Sequence, residues 1–206
     1  MSLLLALHGV RLAGMADDDA VADRFALPPA EATRALRDAH DRGWVQRAEF
    51  AGTAGWWLTD AGRGENERLL AAELDVVPGG RAGVVNVYDD FLPLNARLQQ
   101  AVTNWQLRPE GDRLAPNDHT DDRWDDAVLD ELAAIGRALT PLVARLTGTL
   151  DRFAGYDVRF GRALARAWRG DHAWVDGSGV DSCHRVWFEL HEDLVATLGI
   201  DRAAPT

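Results

Sequence analysis

A chain of 206 residues that is 47% hydrophobic can bury one good core or two small ones, and it carries a net charge of −11 with arginine as its sole basic residue besides histidine. It has no run of about eighteen uninterrupted apolar residues, which excludes a membrane-crossing helix, and Leu3-Leu4-Leu5-Ala6-Leu7 lacks a basic leader and is interrupted by His8 and Arg11, so it reads as core rather than as a secretion signal. The single cysteine, Cys183, excludes an internal disulfide and fits a cytoplasmic location.

Leu3, Leu4, Leu7 and Val10 recur at helical spacing and predict a first helix ending near Gly14. Asp17, Asp18 and Asp19 suit the N-terminus of a second helix that carries Val21 and Phe25. Pro28 and Pro29 suit the first turn of a third, about Pro29 to Arg42, with Ala32, Leu36 and Ala39 inward and Gly43 as its stop. Trp44-Val45-Gln46-Arg47 then alternates like a strand. A turn at Gly52 to Gly55 returns the chain through Trp56-Trp57-Leu58, and Thr59-Asp60 caps a helix running to about Val77. Two helices, a hairpin and a further helix in so few residues predict a winged helix-turn-helix over residues 1–77.

The run Asp41-Arg42-Gly43-Trp44-Val45, the glycine-containing hairpin and Leu58-Thr59-Asp60-Ala61-Gly62-Arg63 resemble winged-helix regulators of the multiple-antibiotic-resistance (MarR) type. Phenolic-acid (PadR) and arsenic-type regulators carry similar end-of-wing sequences, so the resemblance names a superfamily, and it covers about the first third of the chain. It implies a DNA-binding head, and leaves the larger remainder unmatched.

On a recognition helix the residues near the N-terminus reach base edges while arginines further along contact bases or phosphates. Thr33, Arg34 and Arg37 are the natural readers, with Arg47 and Thr53 on the wing. Glu31, Asp38 and Asp41 are awkward neighbours for a phosphate backbone. Residues 1–75 hold 8 arginines against 13 acids, so binding depends on a local basic face.

Pro78 to Gly83 marks a boundary, and residues 84–206 read as an all-α up-and-down bundle. Its expected helices are Val84 to Leu107, Arg123 to Phe153, Val158 to Trp168 and Ser182 to Leu198, the last capped by Asp181, with a polar loop from Arg108 to Asp122. The fold expected is therefore mainly α, with one small wing.

The bundle is rich in large aromatics near polar groups, which is what a ligand pocket needs. Tyr88, Trp105, His119, Trp124, Asp176, Asp181, Cys183, His184, Trp187 and His191 are the candidate ligand-binding residues. His184 and His191 stand about 10 Å apart along one helix, too far for one ion. His119, His184, His191 and Glu192 are what a metal would draw on, yet no paired metal-ligand spacing is present, and neither metal nor cofactor is expected.

These residues predict a cytoplasmic DNA-binding transcriptional regulator whose bundle senses a small-molecule effector or forms a homodimer on an inverted-repeat operator of double-stranded DNA. The alternative is an enzyme or enzyme accessory protein with its site around Asp176 to Glu192, the head serving as a protein-interaction module.

Overall fold

The computed structural model describes residues 2–50 and 53–200, without the side chains of Phe50 and Thr53. The chain forms two units by contact, residues 1–78 with 192–206, and residues 79–191. Among the described residues it is mainly helical, with two small antiparallel hairpins.

In the first unit, helix α1 (Ser2–Ala13) buries Leu7 and Val10, α2 (Asp18–Phe25) buries Val21, and α3 (Pro29–Asp41) buries Ala32, Leu36 and Ala39. These side chains share one core with Val45 and Trp56. Asp17 caps α2, its carboxylate accepting from the Ala20 amide at 2.8 Å. Strands β1 (Val45–Phe50) and β2 (Thr53–Leu58) pair from Val45 with Leu58 to Phe50 with Thr53. Gly55, expected in the turn, lies inside β2; Gly52 lies outside the described residues. Ala16 adds a third edge to this hairpin. Its amide donates to the Trp56 carbonyl at 3.0 Å, and its carbonyl accepts from the Trp56 amide at 2.7 Å.

Helix α4 (Asp60–Asp75) begins where the hairpin closes. The Thr59 amide donates to the Trp44 carbonyl at 3.0 Å, and the Thr59 hydroxyl donates to the Gly43 carbonyl at 2.7 Å while accepting from the Gly62 amide at 3.0 Å. A Cβ on Gly62 would lie 1.8 Å from the Trp44 carbonyl oxygen, so only glycine fits.

The end of the chain belongs here too. Helix α9 (Cys183–Leu198) passes from the second unit to the first at Glu192, and its final turns join α1 and α4. Ala196 packs with Leu4 and Leu70, and fully buried His8 places Nε2 3.0 Å from Oδ1 of fully buried Asp193. Arg11 bridges Glu67 at 2.9 Å and Glu192 at 2.8 Å. The stretch expected as one bundle over 84–206 is thus divided, because this apolar and ionic seam holds the turns of α9 from Glu192 to α1 and α4.

In the second unit, α5 (Gly80–Gln106) packs on α6 (Asp122–Thr147), burying Val87, Phe91, Leu98 and Trp105 against Val128, Leu132, Ile135 and Leu139. Pro93 and Pro141 stand inside these helices without ending them. Both are exposed, as are Asp89 and Arg137 four residues before them, so each freed carbonyl belongs to a solvent-facing turn. The stretch expected as a loop forms a second hairpin, β3 (Leu107–Glu110) with β4 (Arg113–Pro116), turning on Asp112 and on Gly111, which alone of the two is left-handed. The helix expected to reach Phe153 stops at Thr147, and a separate 3-10 turn covers Asp151–Phe153. Helices α7 (Tyr156–Ala167) and the short α8 (Ala173–Asp176) complete the unit with the first part of α9.

The contact at Gly62 makes a paired test. Gly62→Ala should lower the unfolding free energy by about 3 kcal/mol. Gly64→Ala, in the same helix with open space around it, should raise it by about 0.5–1 kcal/mol through helix propensity. Urea denaturation of the two variants checks both signs.

Candidate functional site

The outward side of α3 carries Arg34, Arg37 and Asp41, all exposed, because the helix turns its alanines and Leu36 inward. Neither Arg34 nor Arg37 makes an ion pair among the described residues. Thr33 does not present a free hydroxyl: it donates to Asp18 at 2.6 Å. The Trp56 indole donates to the other Asp18 oxygen at 2.7 Å, and the Arg47 guanidinium lies over the Trp56 ring at 4.9 Å. Partial burial works against the charged Asp18 carboxylate, but the bonds from Thr33 and Trp56, with Arg47 and Arg37 nearby, hold its pKa below the usual value. The neighbouring acids are also engaged, Asp38 by Arg42 at 3.1 Å and Glu31 by the Ser2 hydroxyl. The Thr53 side chain lies outside the described residues.

The ten candidate ligand residues gather at three places rather than in one pocket. The first surrounds the end of α5, where three consecutive residues each meet one of them. The Asn104 carbonyl accepts from the Trp124 indole at 2.6 Å, the Trp105 ring lies 4.5 Å from His119, and the Gln106 amide donates to Asp176 at 2.8 Å. Trp124 also walls a groove of about 270 Å³ between α5 and α6, with Arg97 and Glu131 at its rim. At the second place Phe91 stacks on Trp187 at 4.7 Å and meets His191 at 5.4 Å, and Tyr88 stacks on that imidazole at 6.3 Å. Trp187 is 2% exposed and donates to Asn95 at 3.0 Å, so it is a core residue.

The third place is the start of α9. Ser182, not Asp181, caps the helix, its hydroxyl accepting from the Arg185 amide at 3.2 Å. Asp181 instead takes both Nε and Nη2 of Arg159, at 2.9 and 2.6 Å, and the same Nη2 lies 2.7 Å from Glu189. Burial opposes the charge on Arg159, yet the bond to Asp181 and the Glu189 carboxylate outweigh it and hold the guanidinium well above its ordinary range. His184 is half-buried and no hydrogen bond or ion pair involves it among the described residues. Cys183 is fully buried with its thiol toward the Phe160 carbonyl at 3.9 Å.

Sequence reasoning missed the partners of His119. Its Nδ1 lies 2.8 Å from Asp125 Oδ2, while the Asn117 amide donates to Asp125 Oδ1 at 2.7 Å and to the Trp105 carbonyl at 3.0 Å. With both Asn117 hydrogens so directed, Nδ1 of His119 is the nitrogen that donates to Asp125. His172, from the turn before α8, brings its ring 4.4 Å from His119 and edge-on to Trp105 at 5.4 Å. His119 sits at φ +58°, a conformation fixed by the Asn117 side chain accepting the His119 amide at 3.2 Å. The Asn117-Asp118-His119 order was the available signal for that turn; His172 had none. Among the described residues no group of three or more His, Cys, Asp or Glu side chains is placed to hold a metal ion.

Comparison of the chain with protein-family models, curated proteins and solved structures finds no match.

Burial pushes the Cys183 thiol up to about 12. Thiolate is then about one part in ten thousand at pH 8. A thiol reagent at that pH should leave the native chain unlabelled and modify one site per chain in denaturant, as mass spectrometry will show. Rapid native labelling would contradict the burial.

Proposed function

We propose that the chain is a DNA-binding transcriptional regulator of the winged-helix type, with α2 and α3 as the helix-turn-helix, α3 as the reading helix and the β1–β2 hairpin as the wing. The second unit serves effector sensing or dimerisation. The observation that carries this is the pair Arg34 and Arg37, exposed on one side of α3 and outside any ion pair among the described residues, while Asp18, Glu31 and Asp38 around them are engaged. Guanidinium groups in that state are available for guanine edges and phosphate oxygens.

Thr33 contributes through Asp18 rather than directly. Its bond helps seat the carboxylate under the Trp56 indole, and that carboxylate lies near Arg37 and Arg47. A homodimer would offer two such helices to successive major grooves about 34 Å apart, on an inverted repeat. Each arginine that neutralises a phosphate adds to the salt dependence of the affinity, while the head's surplus of acids lowers the affinity itself.

Gel retardation with genomic fragments tests the reading. At low salt a fragment should be retained, and Arg34→Ala or Arg37→Ala should each weaken specific binding by about 1–3 kcal/mol. Arg47→Ala should weaken binding to all sequences alike and lower the salt slope by about one. Retention of no fragment at low salt, or unchanged binding by both α3 variants, refutes it.

A further inference from the structure

The groove between α5 and α6 is built in a way that selects its occupant. Ala101 and Val128 are buried at its base, exposed Ala127 borders its open side, and the Trp124 indole is fixed by its 2.6 Å bond to the Asn104 carbonyl. About 270 Å³ stays open there, where alanine from each helix leaves room that larger side chains would fill. At the rim, Arg97 Nε donates to Glu131 Oε1 at 2.7 Å, with the two side chains 45% and 39% exposed.

Opposite charges at the edge of an apolar slot match a ligand that carries both. An ion pair this exposed contributes little to stability, so opening it is a small penalty. A simple anion would use Arg97 alone and a simple cation Glu131 alone, each gaining one charged contact where a zwitterion gains two. A zwitterion exchanges one ion pair for two. Its carboxylate meets the arginine fork, its ammonium meets Glu131, and an apolar side chain lies on Ala101 and Val128 against the Trp124 ring.

We propose that this groove binds a free α-amino acid with an apolar or aromatic side chain. The site names an effector class for the regulator, and in that sense it rests on the preceding reading. Binding itself is measured on the full chain without DNA, so loss of one reading leaves the other intact.

Isothermal titration with L-phenylalanine and L-leucine tests it, alongside N-acetyl-L-phenylalanine, which lacks the ammonium, and L-phenylalaninamide, which lacks the carboxylate. The free amino acids should bind, and each blocked derivative should bind at least about ten-fold more weakly. Arg97→Gln and Glu131→Gln should each cost about ten-fold in affinity. Ala127→Phe, which fills the groove from its exposed side, should abolish binding with an unchanged far-ultraviolet spectrum and melting temperature. No heat of binding at millimolar amino acid, equal binding of a blocked derivative, or full affinity in both rim variants would overturn the proposal.

Discussion

The first unit depends on two backbone hydrogen bonds between Ala16 and Trp56. They turn a free hairpin into the outer part of a small sheet whose inner edge is the link between α1 and α2, and they deliver Trp56 into the helical core. A two-stranded hairpin alone is marginal in water, so this third edge is what makes the β1–β2 hairpin an element rather than a loop. Gly55 permits it, since a Cβ there would stand 2.9 Å from Met15 Cγ and 3.0 Å from the Ala16 carbonyl. Once Trp56 is seated, its indole fixes Asp18, Asp18 fixes Thr33, and the relation of strand to α3 follows.

The second unit is organised around α5. One stretch of that helix holds Trp187 and His191 through Asn95, Phe91 and Tyr88; its last turn holds Trp124, His119 and Asp176 through three successive residues. Side chains from the loop before α6, from α6 itself and from α8 are thereby aligned on one helix end. Asn117, His119 and buried Asp125 there are committed to one another. The groove beside Trp124 differs, because its polar groups sit at a half-exposed rim where exchange with a ligand is inexpensive.

Much of the first unit was legible because its elements announce themselves locally. Asp17 and Thr59 cap the helices they were expected to cap, and the inward alanines of α3 follow from spacing alone. The second hairpin was missed although Gly111-Asp112 is a two-residue hairpin turn, since Pro109 and Pro116 argued for a loop; in an isolated two-stranded sheet both prolines are tolerated. The cap of α9 was misassigned by one residue because Asp181 and Ser182 are both good capping types, and Arg159, remote in sequence, claims the aspartate. The ligand candidates were chosen by chemistry, and chemistry does not say which share a location. Asp125 carries no motif that marks it in the sequence; only the fold brings it to His119. The attachment of the last turns of α9 to α1 and α4 had no local signal, because His8 and Asp193 are partners across nearly the whole chain.

Gly62 sits where any larger residue would collide with the Trp44 carbonyl, and Thr59 and Gly43 are bound into the same closure. The wording of the Gly43-Trp44 and Thr59 to Gly62 segments is thus dictated by carpentry at the hairpin's root, well apart from Arg34 and Arg37. Spelling of this kind travels with a way of joining a strand to a helix and is indifferent to cargo. Related chains that keep this joint while exchanging the two α3 arginines would share an architecture and present a different chemistry on that helix.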